Sequence, residues 1–344
     1  MSNNHSFGWS WRYLLNPKTT EPVNTVFSID VEEWFHILET NSVSKNISDW
    51  DNYPSRINES MHMLFDVMDK HNVKATLFFL GWVGEKYPHL VKEACKRGHE
   101  IASHGYYHDL VYELGYKKFR EDISRSKALL EDLSGQEVRG YRAPGFSLTP
   151  EASWAYPALI EEGFSYSSSI YPAKRAHGYF TEFGDEPREI IYQGKSILEF
   201  PMTVLEAPFT SLSCFGGGYF RLFPVGWFKA AAEMLKKKNK NLIFYIHPRD
   251  IDIEQPKLNL PMSRKFKSYI NVGSALSKMD KILEDENYTS FEKVTEKTQI
   301  STLPKAVVHT EKGIDQTFLN FEKKPRTIQE QRKTRRVVPV ATTD

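Results

Sequence analysis

Two histidines, His104 and His108, stand four residues apart in SHGYYHD, directly after the short apolar run HEIAS. That spacing lets two imidazoles face one ion from a helical turn or a tight loop. Eleven histidines in 344 residues produce some such pairs by chance, so the pair needs a second feature to carry weight. It has one in VNTVFSID, which ends at Asp30 and is followed at once by Glu32 and Glu33. Two imidazoles and one carboxylate leave coordination positions open for water and substrate. Such a set suits one catalytic divalent ion, Zn2+ first, with Co2+, Ni2+, Mn2+ and Fe2+ as alternatives. Arg142 in VRGYRAP and His247 in NLIFYIHP close two further runs of the same kind.

The elements that must position these groups follow from the alternation along the chain. Runs rich in β-branched and aromatic residues alternate with stretches of helical period, the pattern of repeated βα units around parallel strands. Helices are expected from about Ser55 to His71, through Cys95, and over Lys117–Leu133, Glu151–Glu162 and Trp227–Lys238. Strands are expected to end near Asp30, Leu80, Ser103, Arg142 and His247. The fold class is therefore α/β, with the strands falling where a βα barrel would put them, and in such a barrel all strand C-termini share the face where active sites are assembled. Between Ile170 and Tyr219 the pattern loosens into REIIYQG, SILEFP and a triple glycine, read as a small β/loop insertion capping one end, with Gly216–Gly218 as a flexible turn over the site. The expected division is an N-terminal extension over 1–22, the catalytic domain over 23–298, and a poorly ordered charged tail over 299–344.

Composition narrows the partners. Lysine plus arginine number 45 against 44 acidic residues, so no field of one sign points to nucleic acid or an anionic membrane. The only cysteines are Cys95 and Cys214, which offer neither a disulfide framework nor a Cys-rich zinc site. The start MSNNHSFGWSWRYLL has no signal-peptide pattern and no run of about 18 apolar residues occurs, so the expectation is a cytoplasmic protein with no transmembrane segment. Homo-oligomerisation is left open.

Four stretches, SIDVEE, SHGYYH, RAPGF and YIHP, resemble in order and spacing the motifs of the polysaccharide deacetylases with a NodB-homology domain, family 4 of the carbohydrate esterases. The likeness runs from about Asn24 to Tyr288 and implies the family's fold, a distorted (β/α)7-type barrel, in agreement with the alternation above. DVEEWFH, GGGYFRLFP, HPRDID and LPMSRKFKSYINVG look more narrowly like the members encoded beside bacterial exopolysaccharide and exosortase loci. The resemblance implies a metal-dependent hydrolase that removes N-acetyl groups from the amino sugars of a polysaccharide or its saccharide precursor. It also implies residue roles: Asp30 as general base, Glu32, His104 and His108 as metal ligands, and Arg142 as partner of Asp30. The Gly145 N–H would face the oxyanion, and His247 would be the general acid. Val31 separates the two acids that the family places side by side, so Glu33 stays a rival ligand against its reading as a solvent-facing residue at the strand exit. Trp34, Phe35 and Tyr219 are candidate sugar platforms, core packing being the alternative, and Pro144 is a further substrate-binding candidate. His36 carries no assignment.

The sequence departs from the family at Tyr166–Ser169, where Ser167 replaces the aspartate that supports the catalytic histidine, which leaves Asp250 and Asp252 as substitutes. Three other readings use overlapping residues. A hydrolase of small amides or ureides needs the same set; an iron oxygenase would give Asp30 and His247 no hydrolytic role; a noncatalytic glycan binder would release no acetate.

Overall fold

The computed structural model describes residues 25–322 apart from 39, 176–177, 208–209, 213–214, 285–286, 311–313 and 315–316, together with no side chains over 206–212. The expected N-terminal extension, Cys214 and the chain beyond 322 lie outside the described residues. Among the described residues there are twelve strands: β1 (Thr25–Val31), β2 (Thr76–Phe79), β3 (Glu100–Ser103), β4 (Gly140–Tyr141), β5 (Tyr166–Ser167), β6 (Arg188–Tyr192), β7 (Lys195–Glu199), β8 (Leu205–Ala207), β9 (Thr210–Leu212), β10 (Leu242–Ile246), β11 (Lys305–Thr310) and β12 (Thr317–Phe321). Ten of them form one sheet in the order β10-β1-β2-β3-β4-β5-β7-β6-β11-β12. The neighbours from β10 through β5 to β7 all pair in parallel. This is the mostly parallel α/β architecture that the alternating pattern predicts.

All seven residues of β1 are buried, as are all of β2 and β10, because strands covered on both faces have no solvent side to accommodate polar residues. The covering helices present one apolar stripe each. Ile57, Met61, Leu64, Phe65 and Met68 give Ile57–Lys70 its buried face, at the three- and four-residue steps of an α-helix. Val111–Ser134 begins six residues before its periodicity predicts, bends at Gly115 (φ 71°) and ends on Gly135 in the left-handed region that a glycine adopts at little cost.

Two expectations need correction. Residues 170–219 do not simply cap the barrel: β6 and β7 form a hairpin inside the main sheet, turning at Gln193 and Gly194, both at positive φ, and β7 lies parallel to β5. Only β8 and β9 form a separate two-stranded sheet. The charged tail does not begin at 299, because β11 adds in parallel to β6 and β12 returns antiparallel beside it. Ala306 and Val308 are the buried residues of β11, an alternation too short to stand out among charged neighbours.

Candidate active site

Every strand that ends in a chemically active residue ends on the same face. β1 delivers Asp30 and, one step beyond its end, Glu32; β3 leads into His104, β4 into Arg142 and β10 into His247. The ligand atoms of Glu32, His104 and His108 lie within 4.8 Å of one another, with His108 Nε2 2.6 Å and His104 Nε2 4.0 Å from Glu32 Oε2. His104 presents Nε2 because its Nδ1 lies 2.8 Å from the Arg142 carbonyl, to which it donates. Burial pushes the His104 imidazole down to about 4, so it stays neutral. His108 reaches Glu32 from a backbone at φ 62°, a left-handed conformation that a non-glycine residue holds only when its surroundings enforce it. The enforcing group is Asp122, whose carboxylate accepts from the N–H of Tyr106 (2.8 Å) and of Tyr107 (3.2 Å), while Ser126 donates to the Gly105 carbonyl.

Glu32 and Glu33 separate cleanly. Glu32 Oε2 is buried with His108 Nε2 2.6 Å away and no other donor beside it, and burial works against its charge. The nearby imidazoles hold its carboxyl below the usual range. Glu33 turns the other way. It is 1% exposed, so it is not the solvent-facing residue expected at the strand exit. It accepts from the Ser55 hydroxyl and from the N–H groups of Arg56 (3.2 Å) and Ile57 (3.3 Å), the unpaired donors that open helix Ile57–Lys70. Glu33 thus serves a helix N-terminus, and its part in ion binding is withdrawn.

Asp30 and Arg142 form a buried pair, 2% and 0% exposed, with Arg142 Nη1 2.7 Å from Asp30 Oδ1. The guanidinium also donates to the Ser28 hydroxyl and the Ser168 carbonyl and lies 4.1 Å from the centroid of the Phe78 ring. Its orientation is fixed on three sides. His247 Nε2 stands 3.8 Å from both Asp30 Oδ2 and Glu32 Oε1, and its Nδ1 is 3.1 Å from Asp250 Oδ2. Burial opposes the charged ring, but Glu32, Asp250 and Asp30 together carry the His247 imidazole up to about 9. Asp250 is in turn held by Arg221, whose Nε lies 3.0 Å from Oδ1. Of the two substitutes named from sequence, Asp250 is therefore the partner of His247, whereas Asp252 takes the Arg56 guanidinium bidentately at 2.9 and 3.0 Å.

Ser167 bonds to the Ser169 hydroxyl at 2.8 Å, in a region governed by Glu199, which accepts from the N–H groups of Ser169 (2.7 Å) and Ile170 (3.0 Å). Glu199, Arg221 and Asp122 were all missed from sequence. Glu199 ends β7 as Asp30 nearly ends β1, so the strand-end rule that found one acid applies equally to the other.

These groups open on a cavity of about 630 Å3 whose wall includes Asp30, Glu32, His104, His108, Gly145 and His247. Gly145 sits at φ 60°, and a Cβ there would meet Leu38 Cδ1 at 2.6 Å. Tyr219 is on the wall and 39% exposed, as a sugar platform requires. Trp34 and Phe35 are not on it. Both are buried in an aromatic cluster with Tyr53, and the Trp34 indole donates to the Pro54 carbonyl at 2.8 Å. Pro144 is buried in the turn before Gly145 and does not reach the wall either. His36 does reach it; its Nδ1 accepts from the Glu33 N–H, and its ring stacks on His108 at 5.8 Å. The triple glycine is packed, not free: a Cβ on Gly216 would overlap the Tyr245 ring at 2.0 Å.

Residues 47–159 match the model of the polysaccharide deacetylase family, and residues 168–296 match a domain of unknown function, DUF3473. Over residues 47–159, therefore, the chain carries a polysaccharide deacetylase domain. It is 34% identical to the peptidoglycan-N-acetylglucosamine deacetylase of Bacillus cereus over 93 residues, 27% of this chain and 34% of that protein. It is 24% identical to the peptidoglycan deacetylase of Helicobacter pylori over 196 residues, 55% of this chain and 60% of that protein. The chain thus spans between about a third and three fifths of the length of these two relatives. A structure from Mycobacterium smegmatis assigned to the polysaccharide deacetylases superposes with a TM-score of 0.58 at 17% identity, covering 87% of this chain and 98% of that one, which is a likeness of fold. The deacetylase match begins after β1 and ends before β10, so Asp30, Glu32 and His247 rest on the site's own geometry. Among the described residues no helix is long and apolar enough to cross a membrane.

Proposed function

We propose that the chain hydrolyses N-acetyl groups from amino sugars of an exopolysaccharide or its saccharide precursor, as a metal-dependent deacetylase. The observation that carries the reading is the meeting of three units at one cavity: Glu32 with His104 and His108, Asp30 with Arg142, and His247 with Asp250. The donor set fits a divalent cation, because Glu32 Oε2 is a buried carboxylate oxygen that faces only the His108 and His104 rings, and the His104 ring is neutral. When bound by Glu32, His104 and His108, such an ion supplies Lewis acidity toward the acetamide carbonyl oxygen and toward water.

The chain's own groups then divide the proton work. Asp30, oriented by Arg142, accepts a proton from the attacking water as its oxygen joins the carbonyl carbon. The Gly145 N–H at the cavity wall is assigned to the oxyanion that develops there. His247, held protonated by the carboxylates around it, gives its proton to the amine nitrogen as the carbon–nitrogen bond breaks, leaving acetate and a free amino sugar. Asp250 holds the Nδ1 side, so Nε2 is the donor toward substrate.

The test is acetate and free-amine release from N-acetylated oligosaccharides by metal-loaded protein, with a chelator-treated control. Asp30→Asn should abolish release while the bound metal is retained. Activity within about tenfold of wild type, a barrier change of only ~1.4 kcal/mol, would assign the base elsewhere.

A further inference from the structure

The wall of the active-site cavity is cationic beyond what its own acids neutralise. Lys174, Arg175, Arg221, Arg249, Arg264 and Lys267 line it, against the three carboxylates of Asp30, Glu32 and Asp250. Those three are occupied, by Arg142, by the two histidines and by Arg221 with His247. Among the described residues, the side chains of Lys174, Arg175, Arg249 and Lys267 make no hydrogen bond and no ion pair. In a chain with a net charge of only +1, such an excess at one place is local design, not composition.

Arg249 is the most informative of the four. It follows His247 by two residues, on the same turn as Asp250, and burial pushes its guanidinium down from the ordinary arginine range. Asp250 and Glu32 act on it only at a distance, and a half-buried guanidinium without a direct partner is costly unless something else pairs it. Arg175 is fixed rather than trailing in solvent: its guanidinium lies 4.4 Å from the Tyr171 ring centroid and 5.3 Å from that of Phe146, the residue after Gly145. Lys267 comes from the helix Met262–Tyr269, which buries no residue and also lines the cavity. Three separate chain segments thus contribute cationic residues without a direct partner to the wall of that cavity.

We infer that the cavity selects an acidic saccharide, one whose acetylated amino sugar carries or adjoins a phosphoester or carboxylate, with Arg249 and Arg175 as the residues that read the anion. The inference rests on the deacetylase reading for the acetylated sugar but not for the anion. A planar guanidinium pairs both anions bidentately, so the shared chemistry is a planar or tetrahedral oxyanion close to the scissile acetamide.

The experiment compares a neutral chito-trisaccharide, its phosphomonoester, and a hyaluronan tetrasaccharide, which alternates N-acetylglucosamine with glucuronate. Calorimetric binding is measured on the Asp30→Asn protein and acetate release on wild type, each with and without Arg249→Met and Arg175→Met. At least one acidic ligand should bind ~10-fold or more tighter than the neutral one, and each arginine substitution should shrink that ratio toward one. The two acidic arms tell phosphoester from carboxylate. Raising the ionic strength of wild type from about 0.05 to about 0.5 M should also shrink the preference, a readout that survives a variant that fails to fold. Equal binding of all three ligands within about twofold overturns the inference, even if acetate is released from the neutral one. Acidic preference without acetate release from any ligand upholds it and sinks the deacetylase reading instead.

Discussion

Replacing Glu33 and Glu32 in turn separates a helix-capping carboxylate from an ion-binding one one residue away. Glu33→Ala removes the acceptor for the Ser55 hydroxyl and for the Arg56 and Ile57 N–H groups, in a place 1% open to water. Losing a capping side chain costs about 0.5–2 kcal/mol, and a buried donor left unpaired adds ~1–3 kcal/mol, so a loss of about 2–4 kcal/mol is expected. At roughly 2–4 °C per kcal/mol for a domain of this size, Tm should fall by about 4–16 °C. Glu33→Gln, which keeps one acceptor oxygen, should lose about half of that. Neither change should alter metal stoichiometry, because no Glu33 oxygen approaches His104 or His108. Glu32→Gln should do the reverse, cutting metal affinity at least ~10-fold with a smaller loss of apo-protein stability, since its Oε2 meets only the His108 and His104 imidazoles. Thermal denaturation of the chelator-treated proteins and metal analysis of the loaded ones provide both readings. A Glu33→Ala protein of unchanged Tm that has lost its metal would refute the assignment.

Three further outcomes follow from the surroundings of the site. Asp122→Ala frees the Tyr106 and Tyr107 N–H groups between the two histidines and should weaken metal binding by about 10–100-fold, checked by competition with a chromophoric chelator. Ser167→Asp should change kcat/KM by less than about threefold, because Asp250 already occupies the Nδ1 side of His247, whereas Asp250→Asn should lower it by ~10²-fold or more. Glu100 is pushed up to about 7 by burial, in spite of donors from Thr76, Tyr166 and Glu292. Its charged form is thus disfavoured in the fold: stability should be highest below about pH 4.5 on this account and fall as pH rises to 7, by on the order of 3 kcal/mol. Glu100→Gln should flatten that slope in denaturant unfolding followed across pH.

The order of strands and helices was legible because parallel strands covered on both faces are continuous apolar runs, and the residues closing those runs had to share a face. Hence Asp30, His104, Arg142 and His247 could be grouped before any distance was known. Direction was not legible. Glu32 and Glu33 are the same residue type at adjacent positions past a strand end, and only the entry of helix Ile57–Lys70 against Glu33 tells them apart. Trp34 looked like a platform because it neighbours the acids in sequence, yet the same change of direction turns it into the core. Asp122 was hidden for the opposite reason: it sits in the middle of a helix whose period announces only packing, and its role depends on a loop fourteen to eighteen residues earlier. β11 and β12 were masked by charge, since an edge addition to an existing sheet needs few buried side chains.

The pairing of β1 with β10 also sets a timetable. Ser28 donates to the Phe244 carbonyl across 216 residues, and that register is what brings Asp30 to His247. Contacts so distant along the chain close late, after most of the loop entropy has been overcome. Glu32, His104 and His108 all belong to the first third of the polypeptide, so the proposed ion-binding trio can meet while later strands are still being synthesised. His247, the proposed proton donor, arrives only when β10 slots in beside β1. A nascent or truncated chain ending before residue 242 could therefore capture a cation without being able to complete a turnover, and hydrolytic competence becomes a certificate that the sheet has been fully assembled.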